Sequence, residues 1–126
     1  MTPDELTGII VHESYQVYFK YGPGLFERVY ESVLEGRLKA RGLRVERQKT
    51  VHIEDEYLKD EPAFIADLIV EGLVVVELKS VEKLTRKHFK QVTTYCKLTR
   101  IRRGLLINFD CDYLKNNIKR VVVGYD

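Results

Sequence analysis

Ala66-Asp67-Leu68-Ile69-Val70-Glu71-Gly72-Leu73-Val74-Val75-Val76-Glu77-Leu78-Lys79 is the stretch whose reading decides the fold. It is rich in β-branched and apolar residues on either side of Glu71-Gly72, which reads as a turn between a strand over 63–70 and a strand over 73–79. Phe64, Leu68, Val74, Val76 and Leu78 share one parity; Ile65, Ile69, Leu73 and Val75 share the other. Strands apolar on both parities belong at the centre of a sheet covered on both faces. Three charges interrupt this hairpin, and burying a charge without a partner costs several kcal/mol. Glu77 and Lys79 are two apart and share a strand face. Asp67 depends on the turn. A two-residue turn pairs 70 with 73 and sends Asp67 and Glu77 to opposite faces. A three-residue turn pairing 69 with 73, with Gly72 left-handed in a bulge, makes them diagonal neighbours on one face. We expect the longer turn or an equivalent bulge.

Outward from the hairpin, helix signals come first. Thr2, Pro3 and Glu5 form a T-x-x-E capping box with proline at the first helical position, opening a helix to about Lys20. Gly22-Pro23-Gly24 breaks it. A second helix is expected over 25–41 from the spacing of Phe26, Val29, Val33 (or Tyr30, Leu34) and Leu38, with Gly42 after its end. Residues 43–53 read as a strand and 54–61 as an acidic turn. After the hairpin come a helix over 85–98, a buried strand over 104–109, a short turn or helix over 112–117 and a last strand over 118–123. The order α-α-β-β-β-α-β-β predicts a mixed three-layer α/β sandwich.

Two carboxylates on one face of a hairpin repel each other and call for a cation. Hard oxygen ligands with open positions suit Mg²⁺ or Mn²⁺. A lysine two residues beyond the second carboxylate can orient a water or meet a developing phosphate charge. Together these suit metal-assisted phosphodiester hydrolysis. The plain alternative is a strand end carrying a Glu–Lys pair, with Asp67 at the other rim.

The 126 residues and 14.8 kDa amount to a single domain over 1–126. With 21 Lys+Arg against 19 Asp+Glu, the net charge of +2 excludes a strongly basic or acidic tail. No apolar run is long enough to span a bilayer. The acidic start lacks a signal-peptide core, and two cysteines are too few for a disulfide scaffold or zinc cage, so a cytoplasmic protein with no membrane partner is expected. The small total hides an asymmetry: 9 basic and 12 acidic residues in 1–63, but 12 and 7 in 64–126. The segment 79–103 holds nine basic residues and only Glu82 against them, and 37–49 holds six against Glu46. Either these are solvated faces or they form a phosphate-binding surface.

The D-x9-E-x-K pattern at Asp67, Glu77 and Lys79, in this order of elements, resembles the PD-(D/E)XK nuclease superfamily with its restriction-endonuclease-like fold. Ala66 stands where the name of the motif has proline. The resemblance implies a Mg²⁺- or Mn²⁺-dependent nuclease in which Asp67, Glu77 and the backbone carbonyl of Leu78 bind the metal and Lys79 orients the water. Gly24-Leu25-Phe26-Glu27-Arg28-Val29-Tyr30 reads G-x-x-E-x-x-Y, the signature of the GxxExxY proteins of that superfamily. The likeness extends through RGLRVERQK, ADLIV, VVVELKSVEKL, LLINF and IKRVV. Ile65 departs from it, since such proteins often carry a basic residue two before the Asp.

Glu27 and Tyr30 are three apart on the second helix and face the same way. Glu27, Glu31 and Glu35 also form an acidic stripe, read as solvated at Glu31 and Glu35. For Glu27 the resemblance offers another role, as a ligand of the metal or its water shell. Gln91 and Tyr95 form a Q-x-x-x-Y helix after the E-x-K strand, with His88 one turn earlier; this is similar to the RecB-like exonucleases, whose iron–sulfur cysteines have no counterpart here. Cys96 is placed on the core side with Phe89 and Val92, and His12 and His52 are read as structural or surface residues. The expected site is therefore Asp67, Glu77 and Lys79, supported by Glu27, Tyr30, His88, Gln91 and Tyr95. Nucleic acid, DNA before RNA, would approach over Lys83, Arg86, Lys87 and Lys90. A second copy of the chain is a candidate partner. Two other readings keep the same fold: a non-catalytic nucleic-acid-binding module and an oligomeric protein-interaction subunit.

Overall fold

The computed structural model describes residues 1–124. Its elements are α1 Pro3–Tyr21, α2 Glu27–Ala40, β1 Val45–Val51, β2 Phe64–Val70, β3 Val74–Lys79, α3 Arg86–Thr99, β4 Arg103–Asn108, a 3-10 turn Leu114–Asn117 and β5 Ile118–Val122. The strands form one mixed sheet in the order β1-β2-β3-β4-β5. β3 and β4 are parallel and are joined by the α3 crossover; the other neighbours are antiparallel. This is the expected α/β sandwich, with element ends shifted by one or two residues from the sequence reading.

The capping box at Thr2 and Glu5 forms, with the Glu5 N–H donating to Thr2 Oγ1 at 3.1 Å. α2 ends where expected: Gly42 takes φ +84°, and the Leu43 N–H reaches back to the Leu38 carbonyl at 3.2 Å. The sheet separates two cores. α1 and α2 bring Leu6, Ile10, Val17, Tyr30, Leu34 and Leu38 against Val74, Val76, Leu78, Leu105 and Ile107. On the other face, Val92 and Cys96 of α3 pack on Val75, Leu106 and Val121. α3 lies so close to β4 that a Cβ on Gly104 would sit 2.7 Å from Val92 Cγ1. Phe89 is not part of this core as expected; it is 41% exposed, because the inward arc of α3 is filled by Val92 and Cys96.

The hairpin turn differs in detail from the expected one. Val70 pairs with Val74 and Leu68 with Val76, in place of 69 with 73. Glu71 as well as Gly72 is left-handed, at φ +53° and +64°. That closes a two-residue turn, with the Leu73 N–H on the Val70 carbonyl at 2.9 Å, and leaves Leu73 as the extra, bulged residue. Glu71 is held in this conformation by Arg44, whose N–H donates to Glu71 Oε2 at 2.6 Å. The bulge restores the expected same-side relationship, and continuing the register sets Asp67 opposite Glu77, not diagonal to it.

One further irregularity positions the site. Ala66 packs with the α3-side core, whereas Leu68 packs with the α1/α2-side core. Regular alternation would put both on one face, so β2 turns over at Asp67. The β1–β2 ladder omits the Gln48–Asp67 pair, and Gln48 has φ +50°.

Candidate active site at the fork between β2 and β3

The β2–β3 ladder runs from Val70–Val74 to Leu68–Val76. Beyond it β2 continues paired to β1, and β3 continues paired to β4. The strands part at Asp67 and Glu77, and the two carboxylates occupy the gap. Glu77 Oε2 accepts the Asp67 N–H at 2.7 Å, and Asp67 Oδ2 accepts the Leu78 N–H at 2.9 Å. Side chains here satisfy main-chain donors that a continued ladder would have used.

Electrostatically the gap disfavours negative charge, because burial outweighs the compensation that Lys79 supplies. Glu77 is 2% exposed. Burial, and then the Asp67 carboxylate, push its pKa up to about 8. Asp67 is also raised, mainly by burial and opposed by the Leu78 N–H. Glu27, at the start of α2, is raised by burial and by Asp67, with Lys79 and the Ser80 N–H acting against this. Lys79 ends β3 and is felt by Glu27, Asp67 and Glu77 alike. Glu27, Asp67, Glu77 and Lys79 thus lie within electrostatic reach of one another around the fork.

Position 67–79 on the central strands, an acid on α2 and a sheet crossed over by α3 form one coherent pattern, and the match to known families covers it. A family model described as the PD-(D/E)XK nuclease superfamily matches residues 4–121. The chain belongs to the PD-(D/E)XK nuclease superfamily. Neither the curated proteins nor the solved structures searched contain a match.

Within this PD-(D/E)XK domain the remaining expected residues divide. Gln91 and Tyr95 are joined by a 3.0 Å hydrogen bond, and the Tyr95 ring stacks on Phe64 at 3.8 Å. The Tyr95 hydroxyl is raised in pKa by burial and then by Glu77, so it borders the fork. Tyr30 does not. It is fully buried, stacked on Phe109 at 4.4 Å, and its hydroxyl donates to the Gly22 carbonyl at 2.6 Å while accepting the Leu25 N–H at 3.1 Å. The G-x-x-E-x-x-Y tyrosine is a pin for the Gly22-Pro23-Gly24 loop, and the same helix turn presents Glu27. His88 Nδ1 accepts the Thr85 N–H at 3.0 Å, capping α3. Its pKa is lowered by burial and by Lys79 and Lys87, so the ring is a neutral cap beside the lysine.

Lys83, Arg86, Lys87 and Lys90 are exposed and make no ion pair among the described residues. At 100° per residue, Arg86 and Lys90 lie on the flank of α3 away from Gln91 and Tyr95. With Phe89, Thr93, Thr94 and Lys97 they line a separate groove. Lys87 lies nearer the Gln91 flank of the helix and lowers the His88 pKa, and Lys83 is in the loop that precedes α3. Most of the second basic run is spent internally: Arg37 and Arg41 hold Glu13 at 2.7 and 2.8 Å, and Lys49 pairs with Glu46 at 2.9 Å.

Three residues around the site were given no role in it by the sequence. Glu31, read as solvated, is 3% exposed and receives Arg47 Nε at 2.9 Å and Gln48 Nε2 at 2.8 Å. Gln48 Nε2 also reaches Asp67 Oδ1 at 3.3 Å. The signal available for Glu31 was its place one turn beyond Glu27, beside the core residues Tyr30 and Leu34. Asn108 supports the loop after Lys79, donating to the Val81 carbonyl at 2.8 Å and accepting its N–H at 3.0 Å.

Proposed function

We propose that residues 1–126 form one nuclease domain of the GxxExxY kind that hydrolyses phosphodiester bonds in nucleic acid, DNA before RNA, with Mg²⁺ or Mn²⁺. The observation that carries this reading is the convergence of Asp67 and Glu77 in the β2–β3 fork, with Lys79 at the end of the same strand. The donor set fits a hard divalent cation: two carboxylates share the fork, and burial and a neighbouring carboxylate each disfavour their charged forms. Asp67, Glu77 and the Leu78 carbonyl would hold the ion, with Glu27 reaching it directly or through water. The ion supplies positive charge against the scissile phosphate. Lys79 orients the attacking water and meets the charge that develops on the phosphate. Gln91 and Tyr95 wall the fork on the α3 side, and Lys83 and Lys87 receive the backbone, followed by Arg86 and Lys90 farther round α3.

The test is cleavage of plasmid, single-stranded and branched DNA with Mg²⁺ or Mn²⁺. Loss of cleavage in Asp67→Ala and in Lys79→Ala is expected; activity that survives either change excludes this mechanism. One observation favours a second reading, a nucleic-acid-binding module without catalysis. Lys83, Arg86, Lys87 and Lys90 are exposed and make no ion pair among the described residues, a basic surface that would serve binding with or without a metal. Calorimetry with Mn²⁺ separates the two: no metal binding, with DNA affinity falling steeply as salt rises, favours the module.

A further inference from the structure

Gln48 lies within β1, yet its φ of +50° is left-handed, a backbone conformation uncommon for a residue with a side chain and rarer still in a strand. Its neighbours keep the ladder: Arg47 pairs with Leu68 and Lys49 with Ala66. Only the Gln48–Asp67 step is missing. The distortion therefore coincides with the residue at which β2 turns over.

The side chain gives the distortion a purpose. A glutamine amide nitrogen has two N–H bonds. One is directed at Glu31 Oε1 at 2.8 Å and the other at Asp67 Oδ1 at 3.3 Å. The reverse amide orientation would set a carbonyl oxygen against two carboxylates, so the assignment is fixed by charge. Glu31 is itself tied down, buried at 3% exposure and bonded to Arg47 Nε at 2.9 Å. Asp67 is held on its other oxygen by the Leu78 N–H at 2.9 Å. A continuous path thus runs from Glu31 on α2 through Gln48 on β1 to Asp67 on β2 and Leu78 on β3.

We propose that Gln48 is a positioning residue for Asp67: its amide, anchored on Glu31, fixes the Asp67 carboxylate in the fork and separates it from the Glu31 charge. The part concerning metal rests on the reading of Asp67 as a ligand; the part concerning orientation does not. The backbone at position 48 would be relaxed by glycine, which has no amide to offer, so strain and positioning can be separated by substitution. The partners of metal-binding carboxylates characteristically change affinity by about 10- to 100-fold when removed.

Gln48→Gly and the isosteric Gln48→Glu are compared with the unaltered chain in two measurements. The first is hydrogen exchange at the Leu78 amide, which reports whether Asp67 still accepts its bond; the second is Mn²⁺ affinity by calorimetry. Gln48→Gly is expected to keep or raise the melting temperature, to speed Leu78 exchange at least about tenfold, and to weaken Mn²⁺ binding about tenfold. Gln48→Glu, which keeps shape but sets a third carboxylate between two others, is expected to speed Leu78 exchange as well. Unchanged Leu78 exchange in both variants overturns the proposal, as does wild-type exchange in Gln48→Glu alone should the glycine variant not fold. If the unaltered chain binds no Mn²⁺, the metal reading fails while Leu78 exchange still decides the role of Gln48.

Discussion

Asp67 and Glu77 stand on opposite sides of a gap in the sheet, and the Glu77 carboxylate holds the Asp67 N–H at 2.7 Å. The hydrogen bond places one acid against the main chain of the other, so the two carboxyl groups are kept close. Several measurable properties depend on that closeness.

Stability should fall with rising pH in metal-free protein. Burial and Asp67 raise Glu77 from 4.5 to about 8 in the folded chain. Between those values the folded state binds a proton that the unfolded chain has released. Stability from this group is therefore complete below about pH 4.5 and is lost as pH rises through about 8, with a slope of at most about 1.4 kcal/mol per pH unit. Glu77→Gln should flatten the profile. Urea denaturation in EDTA at several pH values between these limits checks it; an equal slope in the variant would show that Glu77 is not the group responsible.

Tyr30→Phe should destabilise the fold by about 1–3 kcal/mol, since the Gly22 carbonyl and the Leu25 N–H lose a buried partner while the ring stack on Phe109 is kept. Tyr30→Ala should cost about 3–5 kcal/mol through the cavity it leaves. Denaturant midpoints measure both. If the phenylalanine variant matches the unaltered chain, the hydroxyl is not the pin described.

Gly104→Ala should cost about 1–3 kcal/mol by overpacking, because the new methyl meets Val92 Cγ1 at 2.7 Å and Cys96 Sγ at 2.9 Å. Combining it with Val92→Ala should return less than the sum of the two single effects. Thermal denaturation of the four proteins tests this, and strict additivity would mean that α3 moves away freely.

The two basic runs should behave differently. Charge reversal at Lys83 and Lys87 should weaken DNA binding and lower the slope of log affinity against log salt by about 1 for each phosphate contact removed. Arg37→Glu should leave DNA affinity unchanged and lower stability, since Arg37 is engaged with buried Glu13 at 2.7 Å. Fluorescence anisotropy across a salt series distinguishes them; equal losses of affinity from both runs would count against an interface on the α3 side.

Much of this arrangement is written locally. The β-branched run 64–79 marks the hairpin, the T-x-x-E box marks α1, and the spacing of Asp67, Glu77 and Lys79 indicates the fork once the turn has an extra residue. What could not be read there is set by distant partners. Glu31 has the spacing of an exposed acid, and only the approach of Arg47 and Gln48 from β1 buries it. The turnover of β2 is equally hidden, because Ala66, Leu68 and Val70 are apolar on one parity and give no sign of a break. Tyr30 and Glu27 looked alike by helical spacing, but Phe109 captures the tyrosine and leaves the acid to the fork.

The short β2–β3 ladder has a mechanical side. Along that seam the β1–β2 arm meets the rest of the sheet in the ladder from Leu68–Val76 to Val70–Val74 and in the two carboxylate bonds of Asp67 and Glu77. The arm resembles one leg of a pair of tweezers whose spring is the Glu71-Gly72 turn and whose tips carry Asp67 on one side and Glu77 on the other. Anything gripped at the tips resists prying of the legs, so an occupied fork should stiffen the entire β1–β2 arm, far beyond the residues that touch what it holds.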